Sequence, residues 1–74
     1  MNLVIDAGNT LTKLAIFQGR EMVAFTSFEG IPANYIIKFC ESNALINNAL
    51  LSTVVEYPYE IDDYLSKQFK AIFF

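Results

Sequence analysis

The chain has 74 residues, 54% hydrophobic and 18% charged, with no His, one Cys and a net charge of −3. These counts exclude His-based triads and His-ligated metal sites, an internal disulfide and the basic patch that nucleic-acid binding requires. So apolar a chain is also not intrinsically disordered, and no apolar run approaches the ~20 residues of a membrane span.

Seventy-four residues allow one domain, 1–74, of a size that buries only about 60% of the surface its unfolded chain exposes. A small domain has proportionally more surface than a large one, yet this chain is less charged than the ~25% of an ordinary domain. The expectation is a piece of a larger protein. No basic segment precedes a long apolar stretch, so no signal peptide is expected, and the lone Cys40 suits a reducing, cytoplasmic setting.

The first element is a strand at Leu3-Val4-Ile5, ending at Asp6. It is apolar on both parities, which predicts burial on both faces. Gly8-Asn9 turns the chain. A second strand is expected from Thr12 to Phe17, a reversal at Gln18-Gly19-Arg20, and a third strand from Met22 to Phe28. Short reversals between three strands predict an antiparallel meander.

Gly30 and Pro32 then interrupt the pattern, and Pro suits a helix start, where its missing N–H is not needed. Tyr35, Ile36, Phe39, Cys40 and Ala44 fall at helical spacing and predict a helix from Ala33 to Asn43. After a break at Asn47-Asn48, Ala49 to Val55 reads as a fourth strand, again apolar on both parities. Pro58 with Glu60, Asp62 and Asp63 opens a second helix, the carboxylates meeting the positive end of its dipole. Its apolar stripe is Ile61, Tyr64, Leu65 and Phe69, with Lys67 and Lys70 near its C-terminus. Ala71 to Phe74 reads as a fifth strand. The predicted fold class is α/β in the order β-β-β-α-β-α-β, a mixed sheet with helices packed on it.

Chemistry concentrates in Asp6-Ala7-Gly8-Asn9-Thr10-Leu11-Thr12-Lys13. Asp6 offers a hard oxygen ligand at a strand's carboxyl end, suited to Mg²⁺ directly or through water. Gly8 permits close backbone approach and a positive φ. The turn's N–H groups can converge on phosphate oxygens, Thr10 adds a hydroxyl, and Lys13 adds a compact positive charge. The same residues also suit a plain hairpin with good turn chemistry. Neither a Walker A nor a Rossmann glycine pattern is present. Ser52 and Thr53, at a strand end, are further candidates for ligand contact. Glu60, Asp62 and Asp63 read as a solvated helix start, Cys40 as a small core residue, and Tyr35, Tyr57, Tyr59 and Tyr64 as packing or interface aromatics.

Met1 to Lys13 resembles the opening of type III pantothenate kinases, whose first phosphate motif reads D-x-G-N-T-x-x-K. Asp6, Gly8, Asn9, Thr10 and Lys13 match it. Leu51-Ser52-Thr53-Val54-Val55 is similar to the family's fourth strand. Ala7 stands where the family has a larger apolar residue, and Pro58 comes later than the family's proline.

The resemblance implies a ribonuclease-H-like half of the actin/sugar-kinase fold, and an N-terminal ATP-binding subdomain covering about the first third of such a kinase. It further implies phosphorylation of pantothenate in coenzyme A biosynthesis. ATP phosphates would be held by residues 6–13, Mg²⁺ by Asp6, and K⁺ or NH₄⁺ by residues outside this chain. The family's G-x-D-R segment, with its catalytic Asp and pantothenate contacts, is absent, so no catalytic residue is assigned and the chain alone is expected to be inactive. A homodimer, or self-association through an exposed sheet, is expected. The alternative is a regulatory or transcription accessory protein of the same fold that binds nucleotide without kinase activity.

Overall fold

The computed structural model describes residues 1–43 and 45–74. The elements run β1 (Asn2–Ala7), β2 (Leu11–Gln18), β3 (Glu21–Glu29), α1 (Ala33–Glu41), β4 (Asn48–Thr53), α2 (Tyr59–Gln68) and β5 (Lys70–Phe73). They form a small α/β domain with one five-stranded mixed sheet, ordered β3-β2-β1-β4-β5. β1 pairs antiparallel with β2 and β2 with β3, which is the meander. β4 then lies parallel to β1, and β5 parallel to β4. Parallel neighbours need a long crossover, and α2 supplies the one from β4 to β5.

Strand side chains alternate between faces, and here the two faces differ. Leu3, Ile5, Leu14, Ile16 and Leu51 are buried in one cluster with Ile36 and Cys40 of α1 and Ile61 and Leu65 of α2. Both helices therefore lie on the same side of the sheet. Each fully buried aliphatic side chain there contributes about 1.5–3 kcal/mol from its removal from water.

The expectation that β1 and β4 are buried on both faces is corrected by this arrangement. Their second parity, Val4 and Leu50, is only half-buried, because among the described residues both helices pack on the other side of the sheet. β4 also begins at Asn48, inside the predicted break, and ends at Thr53 rather than Val55. Helix α1 ends at Glu41, and Ala44 of its predicted stripe lies outside the described residues. Tyr35 is exposed rather than packed in the core, and its ring stacks on Phe28 with centroids 5.6 Å apart.

Pro32 and Pro58 occupy the N-cap positions of α1 and α2, with extended backbone and no side-chain cap. The acidic start of α2 has partners nearby. The Tyr57 hydroxyl donates to Asp62 Oδ1 at 2.6 Å, and Lys67 Nζ donates to Asp63 Oδ2 at 3.1 Å. Phe69 follows the last residue of α2, and its ring meets Tyr64 edge to face at 6.1 Å. Lys70 belongs to β5 rather than to the helix end. Among the described residues no helix is long and apolar enough to cross a membrane.

Candidate functional site

The alternation that buries Leu3, Ile5 and Ala7 turns Asp6 to the uncovered face, where it is exposed. The pairing register then fixes its neighbours. Asp6 lies opposite Lys13 on β2 and opposite Ser52 on β4, and Lys13 lies opposite Ser27 on β3. Directly paired residues have Cβ atoms roughly 5 Å apart. A polar row, Ser27–Lys13–Asp6–Ser52, therefore crosses four strands at the carboxyl ends of β1 and β4.

The turn between β1 and β2 projects beyond this row. Gly8 N–H donates to the Leu11 carbonyl at 3.0 Å, and Gly30 N–H donates to the Thr10 carbonyl at 3.0 Å. The first bond draws the turn so tight that a Cβ on Gly8 would stand 3.1 Å from the Leu11 oxygen. Close approach is thus what glycine provides at position 8, and positive φ occurs instead at Gly19 and Gly30. Among the described residues, no acceptor meets the N–H groups of Asn9 and Thr10, both of which are exposed. Unclaimed turn amides of this kind attract anions.

Asp6 and Lys13 are also uncommitted. Among the described residues the one ion pair is Lys67–Asp63 on α2. A carboxylate, an ammonium group, two free amides and the exposed Thr10 are thus gathered at one edge. Among the described residues no three carboxylate or thiol groups cluster as a metal site. A single carboxylate nevertheless fits Mg²⁺, which is commonly held by one or two carboxylates together with a ligand's phosphates and water.

The structure brings Asp6, Gly8, Asn9, Thr10 and Lys13 together but divides the remaining candidates. Ala7 and Thr12 point into the helix-covered side, so they can reach a ligand only through backbone atoms. Thr12 is fully buried, and its hydroxyl donates to the Gly30 carbonyl at 2.5 Å, tying the β3–α1 loop to β2. Leu11 is partly exposed on the open face. Of the pair at the end of β4, Ser52 is exposed beside Asp6. The Thr53 hydroxyl is taken up locally, accepting from Val55 N–H at 3.0 Å and donating to the Val55 carbonyl at 2.9 Å.

Cys40 is buried, and burial pushes its thiol up to about 11, which suits an inert core residue. Two surface hollows lie away from the turn. One, of about 450 Å³, runs over Val4, Leu50 and Ile72 on the open face; the other, of about 480 Å³, lies between Pro32, Tyr35, Pro58 and Glu60.

No family model matches the chain, and no curated protein matches it.

Proposed function

We propose that the chain is the N-terminal, phosphate-binding portion of an ATP-dependent kinase of the type III pantothenate kinase kind, built on a ribonuclease-H-like half of the actin/sugar-kinase fold. The observation that carries this reading is the edge from Asp6 to Lys13. Its carboxylate and ammonium lie opposite each other without an ion pair, and the Asn9 and Thr10 amides between them have no acceptor among the described residues. The antiparallel meander followed by two helical connections, and the match to D-x-G-N-T-x-x-K, support it further.

In this reading the Asn9 and Thr10 N–H groups and the Thr10 hydroxyl donate to phosphate oxygens, and Lys13 neutralises their charge. Asp6 holds Mg²⁺ directly or through water. Bound Mg²⁺ supplies charge neutralisation on the phosphates. Phosphoryl transfer depends chiefly on positioning and electrostatic stabilisation, and these residues supply the nucleotide's share of both. Pantothenate contacts, the catalytic carboxylate and the monovalent-cation ligand would come from outside this chain.

Titration of the ¹⁵N-labelled chain with Mg-ATP tests the reading. Amide shifts should concentrate at Asn9, Thr10 and Lys13, and Asp6→Asn should abolish the Mg²⁺-dependent part while leaving the remaining spectrum unchanged. Uniform or absent shifts at millimolar nucleotide would overturn the assignment. In the longer kinase, Asp6→Asn should abolish turnover with the fold intact.

A further inference from the structure

The pairing register gives Asp6 two unlike flanks. Lys13 of β2 stands on one side and Ser52 of β4 on the other. Neighbouring strands lie about 4.8 Å apart, so each side chain is one strand spacing from the carboxylate. The Lys13 ammonium repels a cation. The Ser52 hydroxyl carries no charge and has two acceptor lone pairs.

Ser52 is free to act but fixed in place. It is exposed, and among the described residues its hydroxyl enters no hydrogen bond. Its backbone is held from both directions. The residue before it, Leu51, is buried, and the Leu51 carbonyl accepts from Phe74 N–H at 2.9 Å. The residue after it, Thr53, spends its hydroxyl on the Val55 N–H and carbonyl, which closes the chain end just beyond β4. Of the two neighbouring hydroxyls, one therefore anchors the strand end and the other is presented beside Asp6.

We propose that Ser52 is a positioning residue for the divalent cation, its hydroxyl accepting a hydrogen bond from a water on Mg²⁺ held at Asp6. This rests on the phosphate-site reading above and adds which flank of Asp6 the cation takes. Mg²⁺ bound by one carboxylate and by phosphates keeps several waters. An outer-shell partner that orients a metal's surroundings typically contributes about 10–100-fold in affinity. Lys13 directs the cation away from its own flank, and Ser52 receives it on the other. Ser27 provides the internal comparison. It is the same residue type in the same row, also exposed, but it lies beyond Lys13 and two strands from Asp6.

ATP affinity of the ¹⁵N-labelled chain, measured once with saturating Mg²⁺ and once in EDTA, tests the proposal. In Ser52→Ala the Mg-ATP affinity should fall about tenfold, and in Ser52→Thr, which restores the hydroxyl, and Ser27→Ala it should stay within about twofold of wild type. Affinity for ATP in EDTA should be the same in every variant, whereas a merely structural role would move both values together. Unchanged Mg-ATP affinity in Ser52→Ala would overturn the proposal, and so would an equal loss with and without Mg²⁺. Asp6→Asn separates this inference from the reading beneath it. If that variant alone loses the gain from Mg²⁺, the phosphate site stands and the role of Ser52 falls. A wild type that binds Mg-ATP no more tightly than ATP in EDTA overturns both. Mn²⁺ in place of Mg²⁺ gives a measurement that needs no variant. Its paramagnetism should broaden the Ser52 amide more than the Lys13 amide, and the reverse order would overturn the placement.

Discussion

At the scale of single residues, the turn between β1 and β2 rests on two contacts that sequence spacing alone does not reveal. Gly8 sits where a Cβ would press on the Leu11 carbonyl, a backbone atom held in the hairpin. Gly8→Ala should therefore destabilise the protein by about 1 kcal/mol, in the usual range for a strained substitution, read as a lower urea midpoint. Thr12 is the second contact. Thr12→Val keeps its shape but removes the hydrogen bond to the Gly30 carbonyl. A loss of about 1 kcal/mol is expected, and an unchanged midpoint would show that the bond does not hold the loop. Tyr57 adds a pH dependence. Burial, with the hydrogen bond to Asp62 behind it, raises its hydroxyl from 10.0 to about 12. The folded state thus favours the neutral phenol. That contribution is complete below pH 10.0 and disappears as the pH rises towards about 12. Across this window the wild type should lose stability faster than Tyr57→Phe.

At the scale of elements, α1 and α2 hold the sheet from one side through few residues. Leu65 is fully buried against the sheet core. Leu65→Ala should cost about 2–5 kcal/mol, against a total stability of roughly 4–11 kcal/mol for a chain of this length. Loss of cooperative thermal unfolding in this variant is the expected result.

The elements themselves are legible in the sequence because each carries a local signal. Leu14 to Phe17 is a short apolar run bounded by turns, Ile36 and Cys40 recur at helical spacing, and Gly and Pro mark most of the connections. What remains hidden is non-local. Val4 and Leu50 read as buried on both faces because hydrophobicity is a property of the residue, whereas cover is supplied by another element. The sequence shows Asp6 and Lys13 in one motif, but it does not show that Ser52 stands beside Asp6. That neighbour comes from a parallel pairing across 46 positions, and no local signal carries it. Thr12 is the converse case. It lies inside the motif, yet the strand's alternation directs its hydroxyl to the opposite face.

At the scale of the whole molecule, the two helices carry four carboxylates against two lysines, while the open parity of the sheet carries Asp6 and Glu29 against Lys13 and Lys70. Phosphoryl transfer needs an acceptor oriented against the nucleotide by a positioned base. Among the described residues the exposed carboxylates beside the β1–β2 turn are Asp6, which the proposed reading commits to the metal, and Glu29, opposite Leu11 on β2. In that reading the acceptor's contacts lie outside this chain. The 74-residue chain should therefore bind Mg-ATP without forming phosphopantothenate above a protein-free control, and clear turnover would place the chemistry within it.

The position of β1 as the third of five strands also sets a hierarchy in time. Its amides are hydrogen-bonded into the sheet and flanked by β2 and β4 on both sides, while β3 and β5 are the outer strands of the sheet among the described residues. Deuterium should therefore enter the edge strands first and β1 last, at the rate of global unfolding. The turn at Asn9 and Thr10 hangs from the slowest-exchanging strand of the molecule. Its two free amides can trade protons with water readily while their positions stay fixed, so an arriving anion would find its donors already in place.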